Sequence, residues 1–233
     1  MIRAERGIPG IAGVEGIGIE AERKLSVGVA LAIVGVDPSR NGGNISSPLF
    51  WTIIEQRSNP LTEKVAGQIS FPGETSKVGE GLEENILGAV AEEFSGDESK
   101  LGNLWYINGS SHMEGRVFIS KRPADLVVLA YTGSLDDKNI PFALNEVTPN
   151  KWMTLEELLA QNPDRVRKFA REALVLEQQH GLIGQVVNAF MHDPLRRIPL
   201  SAFVPSTVSS MEQFYQTRRS RGDVVISNIP LSK

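Results

Sequence analysis

Two adjacent carboxylates, Glu92 and Glu93, close the run "GLEENILGAVAEE", and a third, Glu80, stands just before it. On a helix successive residues turn by about 100°, so positions i, i+3 and i+4 share a face. The third member of the Glu92/Glu93 face is then position 89. Three carboxylates there would make a hard oxygen cluster suited to Mg²⁺ or Mn²⁺. Such ions bridge diphosphate oxygens and activate a water. Position 89 is Ala, so the face carries two carboxylates rather than three. The other stripe of the same run is apolar: Leu82, Ile86, Val90 and Phe94 recur every four residues, with Leu87 and Ala91 beside them. A paired acidic face is most often simply solvated, and a Glu at position 80 also suits a helix first turn through the helix dipole alone.

Composition narrows the chemistry further. The chain has 233 residues, 41% hydrophobic and 22% charged, which is the mix of a soluble globular protein with a sizeable core. A formal net charge of −4 gives no electrostatic reason to expect nucleic acid or an anionic membrane as partner. There are no cysteines, which removes disulfides, thiolate metal sites and thiol nucleophiles, and fits a reducing compartment. His112, His180 and His192 are too scattered to suggest a His-rich metal site. The first residues lack the long apolar core of a signal peptide and no 18-residue apolar stretch occurs anywhere, so the expected location is cytoplasmic. The glycines near the N-terminus lack the Lys-Ser/Thr of a phosphate loop, and residues 1–24 are read as an arm.

The elements that must position these carboxylates are largely strands. "SVGVALAIVGV" (Ser26–Val36) and "LFWTIIEQRS" (Leu49–Ser58) read as strands of a hairpin with a long connection through the turn-forming Asp37–Pro48. "GQISFPG" (Gly67–Gly73) is a short strand ending in a Pro-Gly turn. "LWYING" (Leu104–Gly109) and "GRVFIS" (Gly115–Ser120) resemble a hairpin, and "ADLVVLAYTGSL" (Ala124–Leu135) is the strongest strand signal. A helix is expected from Asn162, as N-cap of Pro163, to His180, with Gly181 as its stop; a second ends before Pro194. Phe71 and Trp152 read as core. Arg218, Arg219 and Arg221 read as a solvated basic tail, with docking of a phosphate or a second subunit as the functional alternative. Strands around a central helix, then terminal helices, point to a mixed α/β domain.

The stretch from Phe71 to Gly96 resembles a Nudix box, G-x5-E-x7-R-E-U-x-E-E-x-G-U, where U is aliphatic. Without gaps, Glu80, Val90, Glu92 and Glu93 match it, while Glu74, Gly88, Ala89 and Ser95 stand at the positions of Gly, Arg, Glu and Gly. The flanks are similar to the family as well. "EQRSNPLTEKVAGQISFPG" (Glu55–Gly73) resembles the segment leading into the box in the coenzyme A diphosphatase branch, and "NEVTPNKWMTLEELL" (Asn145–Leu159) resembles the segment that ends many Nudix domains. The resemblance implies a Nudix-type α/β/α sandwich with a mixed sheet over residues 25–160. Residues 161–233 would form a C-terminal helical extension and tail packed on the same domain.

The implied activity is hydrolysis of a nucleoside diphosphate linked to another moiety. Glu80, Glu92 and Glu93 would be the metal ligands and Glu92 and Glu93 the catalytic carboxylates, with Arg57 and Gly73 at the substrate, although Arg57 equally suits a surface ion pair. Mg²⁺ or Mn²⁺ would be the cofactor, bound weakly or not at all if the incomplete box has lost its site. Glu114, Asp136, Asp137 and Glu146 are carboxylates that could replace the one missing at Ala89. The alternative reading is a catalytically impaired protein of the same fold that binds a nucleotide or a protein partner, and a homodimer is compatible with either. An Ala89 side filled by apolar side chains would favour the alternative.

Overall fold

The computed structural model describes residues 27–36, 48–55, 65–93, 101–109, 112–119, 122–135 and 151–223. The arm at 1–24, Arg57, Asp136, Asp137 and Glu146 lie outside the described residues, as do the side chains of Glu93 and Glu114.

β1 (Gly28–Gly35) carries no polar side chain and is buried along its whole length. That composition requires a strand covered on both faces, and β1 occupies the middle of a mixed sheet. It runs parallel to β7 (Arg122–Tyr131) over Val29–Gly35. It is antiparallel to β2 (Leu49–Ile54) at one end and to β4 (Gly73–Thr75) at the other. β2 also pairs with β3 (Ile69–Ser70) and β8 (Lys151–Thr154), and β7 with β5 (Leu104–Ile107) and β6 (His112–Ile119). β9 (Arg197–Pro199) extends the sheet beyond β5. The expected hairpin of 104–109 with 115–120 is not formed. β5 and β6 lie along the same edge of β7, one on each half, because a ten-residue strand has room for both.

Side-chain alternation in β1 and β7 splits the core into two layers. Ala30, Ala32 and Val34 with Leu126 and Val128 face one way, towards a cluster completed by α3 (Lys168–His180) and α4 (Leu182–His192). Val29, Leu31 and Ile33 with Val127 and Leu129 face the other way. They meet α1 (Leu82–Glu93) and Phe214 of α5 (Met211–Arg219). The result is an α/β sandwich with helices on both faces of a mixed sheet. Phe71 is buried in the first layer and Trp152 in the second, as core residues.

The helix expected from Pro163 to His180 is interrupted. Asn162 does cap, accepting from Asp164 N, but the turn it caps is a short 3₁₀ piece, Pro163–Arg165. Val166 is then extended and bridges Ile69, Arg167 N donates to Ile69 O at 2.8 Å, and the Arg167 guanidinium pairs with Glu55. α3 starts only at Lys168. The stop at Gly181 is as expected: its φ of 60° is left-handed, the conformation a helix terminus commonly assigns to glycine. A short helix, α2 (Leu155–Leu159), opens with a capping box between Thr154 and Glu157.

Candidate functional site

The segment from Gly73 to Gly81 leads from β4 into α1, and the physics of its first residue is close packing. A Cβ added to Gly73 would lie 3.1 Å from Val29 O and 3.5 Å from Phe169 Cζ, so the backbone here is pressed against β1. A tight turn follows, with Gly79 at φ 81° and Glu80 N donating to Lys77 O at 3.1 Å. Asn85 on the first turns of α1 reaches back to Ser76 Oγ at 2.6 Å and ties the loop to the helix.

Charge concentrates in this loop. The Glu80 carboxylate is fully buried. It accepts from Lys77 N at 2.8 Å and from the Arg218 guanidinium, Nε at 2.7 Å and Nη2 at 3.2 Å. The same guanidinium donates to Thr75 O at 2.9 Å and lies 3.7 Å from Glu74. Lys77 Nζ pairs with Asp223 at 2.5 Å and sits 3.9 Å from Glu74. Burial pushes the Glu74 carboxyl above the usual glutamate range; Arg218, Lys77 and the Thr75 N–H pull it down without cancelling that effect. Arg218 comes from α5 and is only 2% exposed. The basic tail is therefore not solvated as a whole, because a Phe214/Arg218 face one helical turn long is turned into the protein. Arg219, by contrast, is exposed and lies over the Tyr215 ring.

The two ends of α1 carry different groups. Glu80 precedes the helix and Glu92 stands in its last turn; at about 1.5 Å rise per residue the ten steps from Leu82 to Glu92 span about 15 Å. One cation with ligands at about 2.0–2.6 Å does not join them. Glu80 is brought to Arg218, and Glu92 is half-buried on its own turn. Gly73 lies at the Glu80 end. Ala89 has no exposure and belongs to the apolar cluster that also holds Ile86, Val90, Leu31 and Ile33. Among the described residues no group of three or more His, Asp or Glu is disposed to hold a metal ion. Glu80 and Glu92 are thus not ligands of one ion, and the side chain of Glu93, the neighbour of Glu92, lies outside the described residues.

Arg218, Lys77 and Glu74 escaped sequence reasoning as members of this constellation. The one available signal was a pair of facts: Gly at position 88 where the box pattern has Arg, and an Arg-rich helical segment far downstream with Phe four residues before its first Arg.

No protein-family model matches the chain, and no curated protein matches it. Among solved structures it is similar to the NUDIX domain of Shewanella oneidensis NrtR complexed with ADP ribose, at 12% identity, over 66% of this chain and 86% of that one, with a TM-score of 0.42. It is similar to a C. elegans Ap4A hydrolase binary complex at 15% identity, over 70% and 94% of the two chains, with a TM-score of 0.40. The M. smegmatis Nudix hydrolase RenU has 10% identity over 66% and 84%, with a TM-score of 0.43. Similarity at these identities and TM-scores assigns the chain neither a family nor a residue role. No helix among the described residues is long and apolar enough to cross a membrane.

Proposed function

We propose that this chain is a Nudix-type protein that recognises a nucleoside diphosphate linked to another moiety, binding it rather than turning it over rapidly. The observation that carries the reading is Ala89. The box pattern asks for a carboxylate there, and the residue present is apolar and fully buried among apolar neighbours. Loss of one positioned acid–base group alone lowers rates by about 10²–10⁴-fold. The ligand class comes from the resemblance of Gly67–Gly73 and of the box itself, whose loop and helix are retained around Glu80.

A second reading is slow hydrolysis supported by Mg²⁺ or Mn²⁺ at Glu92 and Glu93. It is favoured by Glu92, which stays half-buried rather than sealed in the core at the matching position of α1. One panel separates the two: coenzyme A, ADP-ribose, NADH and dinucleoside polyphosphates, each with Mg²⁺ and with Mn²⁺. Calorimetric binding and hydrolysis, read as the nucleotide fragment and the second phosphorylated fragment formed when water cuts the diphosphate P–O–P bond, are measured on the wild type and on E92Q/E93Q. The binding reading expects saturable heats for at least one compound with no hydrolysis above the variant. Turnover that vanishes in the variant would replace it with the hydrolase reading, and no heat and no turnover on any compound would overturn both.

A further inference from the structure

Gly88 sits in the middle of α1, where glycine costs about 1 kcal/mol relative to alanine in an exposed helix. Its neighbour explains why the missing side chain is tolerated. A Cβ built at Gly88 would fall 2.5 Å from Arg218 Cζ and 2.8 Å from Arg218 Cδ. The guanidinium of α5 therefore lies across the helix in the space that a side chain at 88 would need. From there it forks onto both oxygens of Glu80 and reaches Thr75 O. Planar, bidentate recognition of a carboxylate is a task for Arg and not for Lys.

The contacts continue past the helix. Val78 N donates to Gly222 O at 2.8 Å, Lys77 bridges Asp223, and Arg221 pairs with Glu84 at 3.5 Å. Residues 218–223 are thus fastened to the 74–84 segment by buried ion pairing, by backbone pairing and by surface ion pairs together.

We infer that Arg218 is the positioning residue of the loop that enters α1: it supplies, from a helix outside the box, the guanidinium whose box position is vacated by Gly88. Position 88 and position 218 are two routes to one cation, and only one of them can be occupied at a time. α5 is consequently a working part of the candidate site.

The test is an exchange of the arginine between its two positions. Hydrogen–deuterium exchange across residues 74–81 is measured on the full chain as wild type, R218A, G88R, G88R/R218A and the surface control R219A. R218A is expected to speed exchange of the loop by about tenfold or more, as expected when a local opening loses its main tie, and R219A to leave it unchanged. G88R alone is expected to free 211–223, since two guanidinium groups compete for one carboxylate. G88R/R218A is expected to return the loop to within a few-fold of wild type. Rescue by an arginine placed on α1 instead of α5 is something a merely space-filling Arg218 would not give. An unrescued double variant, or loop exchange untouched by R218A, overturns the inference. If R218A is too unstable to purify, the double variant still decides: folding restored by G88R supports the exchange of roles, and its failure refutes it. A second arm, which rests on the proposed ligand class, compares nucleotide binding in the same proteins and expects affinity lost in R218A to return in G88R/R218A. Absence of binding in the wild type would count against that class while loop exchange still judges Arg218.

Discussion

Ala89 and Glu74 are the two residues whose surroundings set the terms of this site. Ala89 is sealed into an apolar layer, so placing a carboxylate there tests whether the helix has kept a metal face. A89E is expected to lower stability by about 3–5 kcal/mol, the cost of an uncompensated buried charge, without gaining Mg²⁺ affinity. Urea unfolding with and without Mg²⁺ measures both. Unchanged stability together with a Mg²⁺-dependent shift of the midpoint would mean that the face can still form a cation site, and would move the balance to hydrolysis. Glu74 makes a pH prediction. Its carboxyl is held above the ordinary value chiefly by desolvation, so the folded chain binds that proton more tightly than the unfolded one. Stability attached to this group is therefore present at acid pH and falls as pH rises from the ordinary glutamate value through the raised one. E74Q keeps the shape and an acceptor for Thr75 N. It should be more stable than wild type at neutral pH, with the difference shrinking on acidification through that window. Paired urea titrations across the window check this, and an E74Q gain that grows towards acid pH would reverse the assignment.

Elements differ in how much of them was legible. β1 and β7 were legible because their signal is local: long apolar runs rich in β-branched residues need no partner to be recognised. The stripe of α1 was legible for the same reason, with Ile86, Leu87 and Val90 buried as the period requires. The stop at Gly181 is likewise written in one residue. What sequence could not give is what distant elements impose. Asn162-Pro163 is a sound helix start, yet Val166 is drawn into a bridge with Ile69 and Arg167 into an ion pair with Glu55, both about a hundred residues away in sequence. Those contacts straighten the chain for two residues and delay α3. The loop before α1 shows the same limit at the site. Glu80 was visible as a carboxylate near a helix start, but its partner lies 138 residues downstream. No periodicity links the two.

At the scale of the molecule, the question is whether residues 161–233 are an appendage or part of one folding unit with 25–160. Their helices do not share a location. α3 and α4 cover one face of the sheet, and α5 lies against α1 on the other, with β9 adding a strand at the edge between. Each layer of the core is therefore incomplete without this segment, and we propose that the two ranges fold together. Removal of everything after Pro205 tests the idea on the smaller contact. It takes Phe214 out of the layer that holds α1, and burial of a Phe is worth about 3–5 kcal/mol by truncation to Ala. It also removes the guanidinium that pairs with Glu80 and covers its carboxylate. Typical domains are stable by about 5–15 kcal/mol in total. The truncated chain is therefore expected to lose its cooperative thermal transition, or to melt far below the full chain, as followed by circular dichroism. A single-residue loss such as R218A should be milder, because Phe214 stays in place. A truncated protein that melts cooperatively within a few degrees of the full chain would show that the sheet and α1 stand without α5. The guanidinium across Gly88 would then be an ornament of the tail rather than a support of the site.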